Sequence, residues 1–315
     1  MAMAGATTVR AGAPTRPADG FRGFTTVVSL AAPAVLILIV LVVVITALPA
    51  IRTFGAGFLT STEWNPPREQ FGALPFVFGT VVTSFIALAL ALPVGIGVAL
   101  FLAEQGLTRL RGAIGTGVEL LAAIPSVVYG IWGLYILAPW LLVHVSKPLA
   151  QSLGHIPIFA GPARQTNLLI ASVILAVMVL PTLSSISREV IKAVPGGLRE
   201  ASVAMGATWW ETVWRVILPA ARSGIFGATI LSLGRALGET MAVTMTIGNR
   251  AEIQASLLQP AYSLASVIAN EFNEATGTVY PAALIELGLV LMLVTLVVNV
   301  LALLLVHRVS SEARA

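Results

Sequence analysis

The chain has 315 residues and a mass of 32.8 kDa; 57% of its residues are hydrophobic, 10% are charged, and its mean hydropathy is +0.94. Soluble proteins carry about 25% charged residues, so this chain has too few to cover a water-facing surface, which excludes a cytosolic enzyme, a disordered chain and a coiled coil. The net charge of +4 comes from 18 scattered Lys and Arg residues that form no basic stripe, which excludes a nucleic-acid-binding protein.

The apolar stretches predict an all-α, polytopic membrane bundle with six transmembrane helices. Residues 1–22 are rich in Ala, Gly, Pro and Thr and are predicted to be a disordered cytoplasmic tail, residues 23–308 a transmembrane domain, and residues 309–315 a short cytoplasmic tail. A helix needs about 20 residues to cross the bilayer core, and six stretches reach this length: Gly23–Ile51, Gln70–Ala103, Leu120–Val143, Gln165–Ser187, Ser223–Ile247 and Pro281–Val306. The strands of a β-barrel would alternate over about ten residues instead.

The basic residues predict the orientation, because cytoplasmic loops are enriched in Lys and Arg. With six spans, one side of the membrane receives twelve of these residues and the other side five, so both termini are predicted to be cytoplasmic. A cleaved signal peptide is the alternative for the first span, but its apolar region would be only about 7–15 residues long. The Pro- and Gly-containing segment His144–Arg164 is predicted to be an irregular outer loop or a re-entrant piece.

The longest inner loop, residues 191–222, is predicted to form a helix-turn-helix elbow. Pro195 and two following glycines break the preceding helix, a first helix covers Leu198–Met205, Gly206 permits a turn, and a second helix ends at Pro219. The second helix is amphipathic, with an i,i+4 pair of Glu211 and Arg215. Its tryptophans are typical of a membrane interface, and a protruding helix also suits insertion into a groove of a partner.

Seven residues of this loop resemble a family motif, the Glu-Ala-Ala, Gly, Ile-x-Leu-Pro pattern in the permeases of binding-protein-dependent ABC importers. They are Glu200, Ala201, Ser202, Gly206, Val216, Leu218 and Pro219. Ser202 and Val216 depart conservatively from the motif, and the spacing matches throughout. The resemblance implies the MetI-like permease architecture, and it implies that this loop receives the stroke of a separate ATPase.

Two further stretches, Leu121–Gly133 and Gly234–Val243, resemble the phosphate-importer permeases of the PstC family, and the resemblance extends over about Phe76 to His307. It implies transport of inorganic phosphate with a PstA-like second permease, a PstB-like ATPase dimer and a PstS-like extracytoplasmic binding protein. The sister permease PstA is related, and importers of other oxyanions share the architecture. The substrate could therefore be phosphate or a similar oxyanion.

Charged residues within the predicted spans are the candidate residues of a substrate path. Arg235 and Glu239 lie four residues apart in the fifth span, which would place both on one face of a helix. They could form a structural ion pair. Alternatively, the planar fork of Arg235 could contact phosphate transiently while Glu239 holds it or rejects anions; in the resembling family this Arg and Glu are associated with the path. Glu119 and Glu286 are lesser candidates that could equally snorkel or cap.

The sequence predicts no cofactor, metal or catalytic site in this chain. A Walker A loop needs a lysine after a glycine, and neither Lys147 nor Lys192 follows one, so ATP and Mg²⁺ are expected on the partner ATPase. There is no cysteine, and the histidines are too far apart for a familiar metal spacing. An ion-coupled secondary transporter would show pseudo-symmetric halves, and the sequence shows no such repeat. A membrane enzyme would need a nucleophile beside a base, and no His lies within the first five predicted spans.

Overall fold

The computed structural model describes residues 19–104 and 108–311, and the described residues form helices joined by turns and irregular loops, with no strand beyond two isolated bridges. The α-helices are α1 Asp19–Phe54, α2 Gly57–Thr60, α3 Leu74–Ala103, α4 Thr108–Ala123, α5 Ser126–Trp132, α6 Ala138–Leu141, α7 Lys147–Leu153, α8 Leu168–Lys192, α9 Gly196–Ala204, α10 Trp209–Thr212, α11 Leu218–Leu237, α12 Met241–Thr246, α13 Leu264–Glu271 and α14 Val279–Ser311. Three π-helical turns link some of these helices: Gly133–Leu137, Leu142–Ser146 and Val213–Ile217.

Six helical segments of the described chain are long and apolar enough to cross a membrane, which confirms the predicted number of spans. They are Arg22–Phe54, Leu74–Ala103, Ser126–Leu153, Leu168–Lys192, Trp209–Leu237 and Val279–Leu304. The chain divides into two units at Ile45. The described part of the first unit consists of the N-terminal residues of α1, and the second unit contains all the other helices.

The predicted tails overlap the ends of helices. Most of the first predicted tail, residues 1–18, lies outside the described residues, and α1 begins at Asp19. At the other end, α14 runs on to Ser311, past the predicted boundary at residue 308.

The third span differs from its prediction. Residues 120–123 belong to α4, and Pro125 separates this helix from a span that begins at Ser126. The span then continues to Leu153 through two π-helical turns, so the first ten residues of the predicted irregular segment His144–Arg164 are helical. Pro139 and Pro148 each come two residues after a π-helical turn, so the missing N–H of each proline falls where the helix already departs from the regular i→i−4 hydrogen-bond pattern.

The centre of the second unit is the packing of α3 against α8. Small residues line this contact, and a Cβ atom built on Gly95 would lie 2.8 Å from Leu183, so the two helices approach closely there. At one end of the bundle, Ala99 of α3 and Ile191 of α8 bury Val213 and Ile217 of the elbow. We call this the elbow end, and the opposite end the far end.

At the far end, aromatic side chains fix the loop after α2 against α13 and α14. Trp64 donates from Nε1 to Glu271 Oε2 at 2.8 Å, and the hydroxyl of Tyr280 donates to the same oxygen at 2.6 Å. Phe71 stacks on Tyr280 with ring centroids 5.2 Å apart. This cluster therefore closes the end of the bundle that lies away from the elbow.

Candidate functional site: an elbow and a charged helix break

The elbow forms because each of its helices has a defined end. α9 ends at Ala204, and Gly206 takes φ +84°, a left-handed conformation that favours glycine. α10 starts with a capping box, in which the Thr208 hydroxyl accepts from the Glu211 N–H and the Glu211 carboxylate accepts from the Thr208 N–H. Ser202 and Thr212 share a hydrogen bond of 2.9 Å that fastens α9 to α10.

The predicted end of the second elbow helix at Pro219 is wrong. The π-helical turn Val213–Ile217, in which the Leu218 N–H donates to the Val213 carbonyl, joins α10 to α11 without a break. Pro219 comes two residues after this turn, so its missing N–H falls where the helix already departs from the regular i→i−4 hydrogen-bond pattern. The predicted ion pair of Glu211 with Arg215 is also absent from the described residues, because the Glu211 carboxylate instead caps α10.

The motif residues line an open surface on the elbow. Ala201, Ser202, Gly206 and Val216 belong to a groove of about 560 Å³ that also includes Met205, whose surface is 88% exposed. Glu200 is exposed nearby on α9, Leu218 is half-buried and Pro219 is exposed at the start of α11. Three tryptophans, Trp209, Trp210 and Trp214, are about half exposed and contact one another. The elbow thus presents an apolar surface with a concave groove.

Sequence reasoning missed Arg199, which lies beside the motif residue Glu200. Its Nη2 donates to Glu104 Oε1 at 2.8 Å and to the Ile191 carbonyl at 2.9 Å, and its Nη1 donates to the Val194 carbonyl at 3.1 Å. A basic residue in the first turn of α9 was the one available signal, since cations are unfavourable at a helix N-terminus unless they have another partner.

The second group of candidates lies where the fifth span breaks. α11 ends at Leu237, Gly238 follows with φ −92° and ψ 0°, and α12 starts only at Met241. The sequence predicted that Arg235 and Glu239 lie on one continuous helix. The structure contradicts this prediction, because α11 ends between them. Within the described residues neither side chain forms an ion pair or a hydrogen bond, so the intrahelical ion pair, one of the two alternatives left open by the sequence, is not formed.

Arg235 lies at about half the depth of the bundle and is exposed on the chain. Leu88 is the fifteenth of the 30 residues of α3 and therefore marks the middle of that helix. It packs with Leu233 and Leu237, which precede and follow Arg235 in the sequence. The guanidinium also lies within electrostatic range of Tyr129, whose hydroxyl donates to the Leu121 carbonyl at 2.8 Å. A charge at the middle of a membrane faces a protein interior or a water-filled path rather than lipid, so Arg235 marks a surface that lipid does not cover.

Glu239 lies beside a small polar cavity at the junction of α3, α8, α11 and α12. Its other polar lining residues are hydroxyls, from Thr80, Thr83, Ser84 and Ser263. The cavity has a volume of about 10 Å³, enough for about one water molecule. Glu239 thus has polar neighbours of its own.

The two lesser candidates lie elsewhere. Glu119 is exposed on α4, outside the third span. Glu286 is 7% exposed on α14, and its Oε2 has no hydrogen-bond partner among the described residues. Neither residue lines the cavity at Glu239. No group of three or more His, Cys, Asp or Glu side chains in residues 19–104 and 108–311 could hold a metal ion.

Comparison with known proteins identifies the family. Residues 93–311 match the family model described as the inner membrane component of binding-protein-dependent transport systems. The phosphate transport system permease protein PstC of Mesorhizobium japonicum is 48% identical over 271 residues, which cover 84% of this chain and 83% of the relative. The protein of the same name from Pasteurella multocida is 44% identical and covers 82% of each chain. The chain belongs to the PstC family of transport permeases.

A solved structure supports the fold. The match is a bacterial alginate ABC transporter in complex with a pentasaccharide-bound periplasmic protein, with a TM-score of 0.59 and 20% identity over 90% of this chain and 94% of that chain. The predicted fold class, a helical ABC importer permease, is confirmed. Membership of the family makes the chain a multi-pass inner membrane permease, a non-enzymatic subunit that works with an ATPase and a binding protein.

Proposed function

We propose that the chain is a membrane subunit of an ATP-driven importer of inorganic phosphate, and that Arg235 faces the translocation path. The relatives that cover most of the chain are named phosphate transport permeases. A phosphate path through a bilayer needs cationic or hydrogen-bond-donating groups, because the hydrocarbon core offers none. The fifth span supplies such a group in Arg235.

The exposed, unpaired guanidinium of Arg235 at about half the depth of the bundle is the observation that carries this proposal. An Arg with a permanent protein partner would be neutralised, whereas Arg235 has all of its donors available within the described chain. A guanidinium presents a planar fork that matches the oxygens of phosphate. Because release must remain fast, the contact is expected to be weak and transient.

The exposed position of Arg235 implies a second permease that covers it, and we propose a PstA-like partner. The two subunits would enclose the path between them. A PstB-like ATPase dimer, carrying ATP and Mg²⁺, would bind the elbow groove lined by Ala201, Ser202, Gly206 and Val216. A PstS-like phosphate-binding protein would deliver the substrate at the far end.

The basic residues support an orientation with both termini and the elbow in the cytoplasm. By alternation of the six predicted spans along the sequence, twelve Lys and Arg residues are expected on the side of the elbow loop and five on the other side. Glu239, beside its hydroxyl-lined cavity, would influence the potential around Arg235 without neutralising it. Glu119 and Glu286 remain secondary proposals for the path.

The test is ATP-dependent phosphate uptake by vesicles that contain this chain, its partner permease, the ATPase and the binding protein, with one component omitted at a time. Uptake that is lost whenever this chain is absent supports the proposal. Uptake that persists without the chain contradicts it. Uptake of another oxyanion in place of phosphate would keep the importer role and refute the substrate.

A further inference from the structure

Arg199 connects three parts of the chain at the elbow end. Its own helix, α9, is the first helix of the elbow. Its hydrogen bonds reach the residue after α3, Ile191 in the last turn of α8, and Val194, two residues after α8. Glu104 lies 95 residues away in sequence, and the salt bridge between the two side chains is 2.8 Å long. One side chain therefore joins the elbow to both central helices of the bundle.

The environment of this contact makes it stronger than an ordinary surface pair. The Glu104 side chain is 9% exposed and that of Arg199 is 27% exposed, so water competes little for the carboxylate. The two carbonyls that Arg199 binds lie at and just beyond the C-terminus of α8: the Ile191 carbonyl also accepts from the Val194 N–H at 3.3 Å, and Val194 lies two residues past the helix. Arg199 thus satisfies backbone groups and a charge together.

The chemistry requires an arginine at this position. The contact uses both terminal nitrogens, Nη1 toward Val194 and Nη2 toward Ile191 and Glu104. A lysine carries all of its donors on one nitrogen and cannot reproduce this fork.

The two helices that Arg199 joins, α3 and α8, are two of the four helices that line the cavity beside Glu239. α3 contributes Thr80, Thr83 and Ser84, and α8 contributes Leu175. Val213 and Ile217 pack against Ala99 of α3 and Ile191 of α8, and these contacts hold the π-helical turn to the bundle. Arg199 holds α9. The hydrogen bond between Ser202 and Thr212 is the further link between the two halves of the elbow.

We propose that Arg199 is a positioning residue that locks α9 to α3 and α8, so that a displacement of the elbow by the ATPase is carried into the helices around Glu239. The inference rests on the proposed function, since it assumes that the ATPase binds the elbow. It adds a residue outside the family motif to the coupling machinery. The consequence is that loss of the lock should separate ATP hydrolysis from transport.

The first experiment measures phosphate uptake and ATP hydrolysis in the same vesicles for the complete importer with Arg199→Lys or Glu104→Gln. Lys192→Met is the matched control, because Lys192 forms an exposed ion pair with Glu189 of 3.1 Å at the same end of α8. Co-purification of the ATPase with each variant establishes that the complex assembles.

With Arg199→Lys we expect the ATPase to co-purify and hydrolysis to continue, while the phosphate transported per ATP falls about fivefold or more, the size of a typical coupling effect. Glu104→Gln keeps a hydrogen-bond acceptor and should give a smaller loss in the same direction. The control should leave the ratio unchanged. An unchanged ratio in both Arg199→Lys and Glu104→Gln would overturn the proposal, even if uptake and hydrolysis fell together.

A distance measurement tests the lock without reference to the substrate. The chain has no cysteine, so spin labels can be placed at Val203→Cys on α9 and Val94→Cys on α3, two sites that are 60% and 51% exposed. We expect one narrow distance distribution in the assembled complex, broadened by Arg199→Lys. An unaltered distribution in that variant would refute the lock. A broadened distribution in an importer that does not transport phosphate would instead retain the lock and reject the substrate.

Discussion

Two arginines of the chain, Arg199 in the elbow and Arg235 at the break in the fifth span, lie in opposite environments. Arg199 is partly buried and is held by a carboxylate and two carbonyls, whereas Arg235 is exposed at mid-depth and has no ion pair or hydrogen bond within the described chain. The helices that carry these arginines also end differently. Gly206, after α9, adopts a left-handed conformation, whereas Gly238, after α11, does not.

Arg199 finds its hydrogen-bond partners within this chain, whereas the partners of Arg235 must come from other molecules. The two Nη atoms of Arg199 are paired within the chain, although its buried Nε has no partner among the described residues, so we expect the loss of this side chain to destabilise the fold. The donors of Arg235 are placed where lipid cannot satisfy them, so they require a partner subunit, water or a substrate. Each prediction below would weaken this contrast if it failed.

The largest effect is expected for Arg235. Arg235→Lys keeps the charge and loses the fork, so phosphate uptake should fall about tenfold or more, as for the loss of a charged hydrogen bond worth about 1.5–3 kcal/mol. Assembly and thermal stability should stay at the wild-type level, because no intrachain contact is removed. Full uptake by a correctly assembled Arg235→Lys importer would exclude the proposed role of the fork.

Arg199→Ala should act on the fold as well as on coupling. It removes the donor to the Glu104 carboxylate and to the Val194 carbonyl, while the Ile191 carbonyl keeps the Val194 N–H at 3.3 Å, and the expected cost is about 1–3 kcal/mol. We expect a lower unfolding temperature of the purified chain in detergent, measured beside Arg235→Ala at the same heating rate. Equal unfolding temperatures for the two variants would remove the contrast between the arginines.

The two glycines should respond differently to alanine. Gly206→Ala places a Cβ in a left-handed conformation, which costs about 1–2 kcal/mol although no atom lies within 4 Å. The elbow should lose its shape, and less ATPase should co-purify. Gly238→Ala meets only ordinary contacts of 3.8 Å and longer and should leave assembly unchanged. Normal ATPase binding by Gly206→Ala would show that the turn does not control docking.

Lys192→Met should have the smallest effect. Its ion pair with Glu189 is exposed, and such pairs contribute about 0–1 kcal/mol. We expect an unfolding temperature and an uptake rate close to wild type. If Lys192→Met lowered the unfolding temperature as much as Arg199→Ala, removal of any charge at the elbow end would destabilise the fold, and the effect could not be assigned to the contacts of Arg199.

The number of spans could be predicted from the sequence because each span contains a long apolar run, and the family could be recognised because the elbow motif is local. Helix α4 was missed because its three glycines and mixed charges, among them Arg111 and Glu119, give no long apolar run. The break at Gly238 was missed because a glycine in a transmembrane helix more often serves packing than termination.

Two kinds of feature could not be predicted from the sequence. The π-helical turn Val213–Ile217 changes the hydrogen-bond register two residues before Pro219, as the other two π-helical turns do before Pro139 and Pro148, but a proline in the sequence does not show whether the helix ends there or continues past it. The partners of Arg199 are set by tertiary packing, since Glu104 comes from a distant helix. The roles of Arg235, Glu239, Glu119 and Glu286 stay predictions until transport is measured.

The unbroken segment Trp209–Leu237 makes the elbow and Arg235 two ends of one lever. At a rise of about 1.5 Å per residue, the 26 residues from Trp209 to Arg235 span about 39 Å. If the segment pivots near the elbow, a tilt of about 10° moves the guanidinium sideways by about 7 Å, more than the length of one helical turn. A modest rotation at the elbow end would thereby be magnified at the point where we propose that the anion passes.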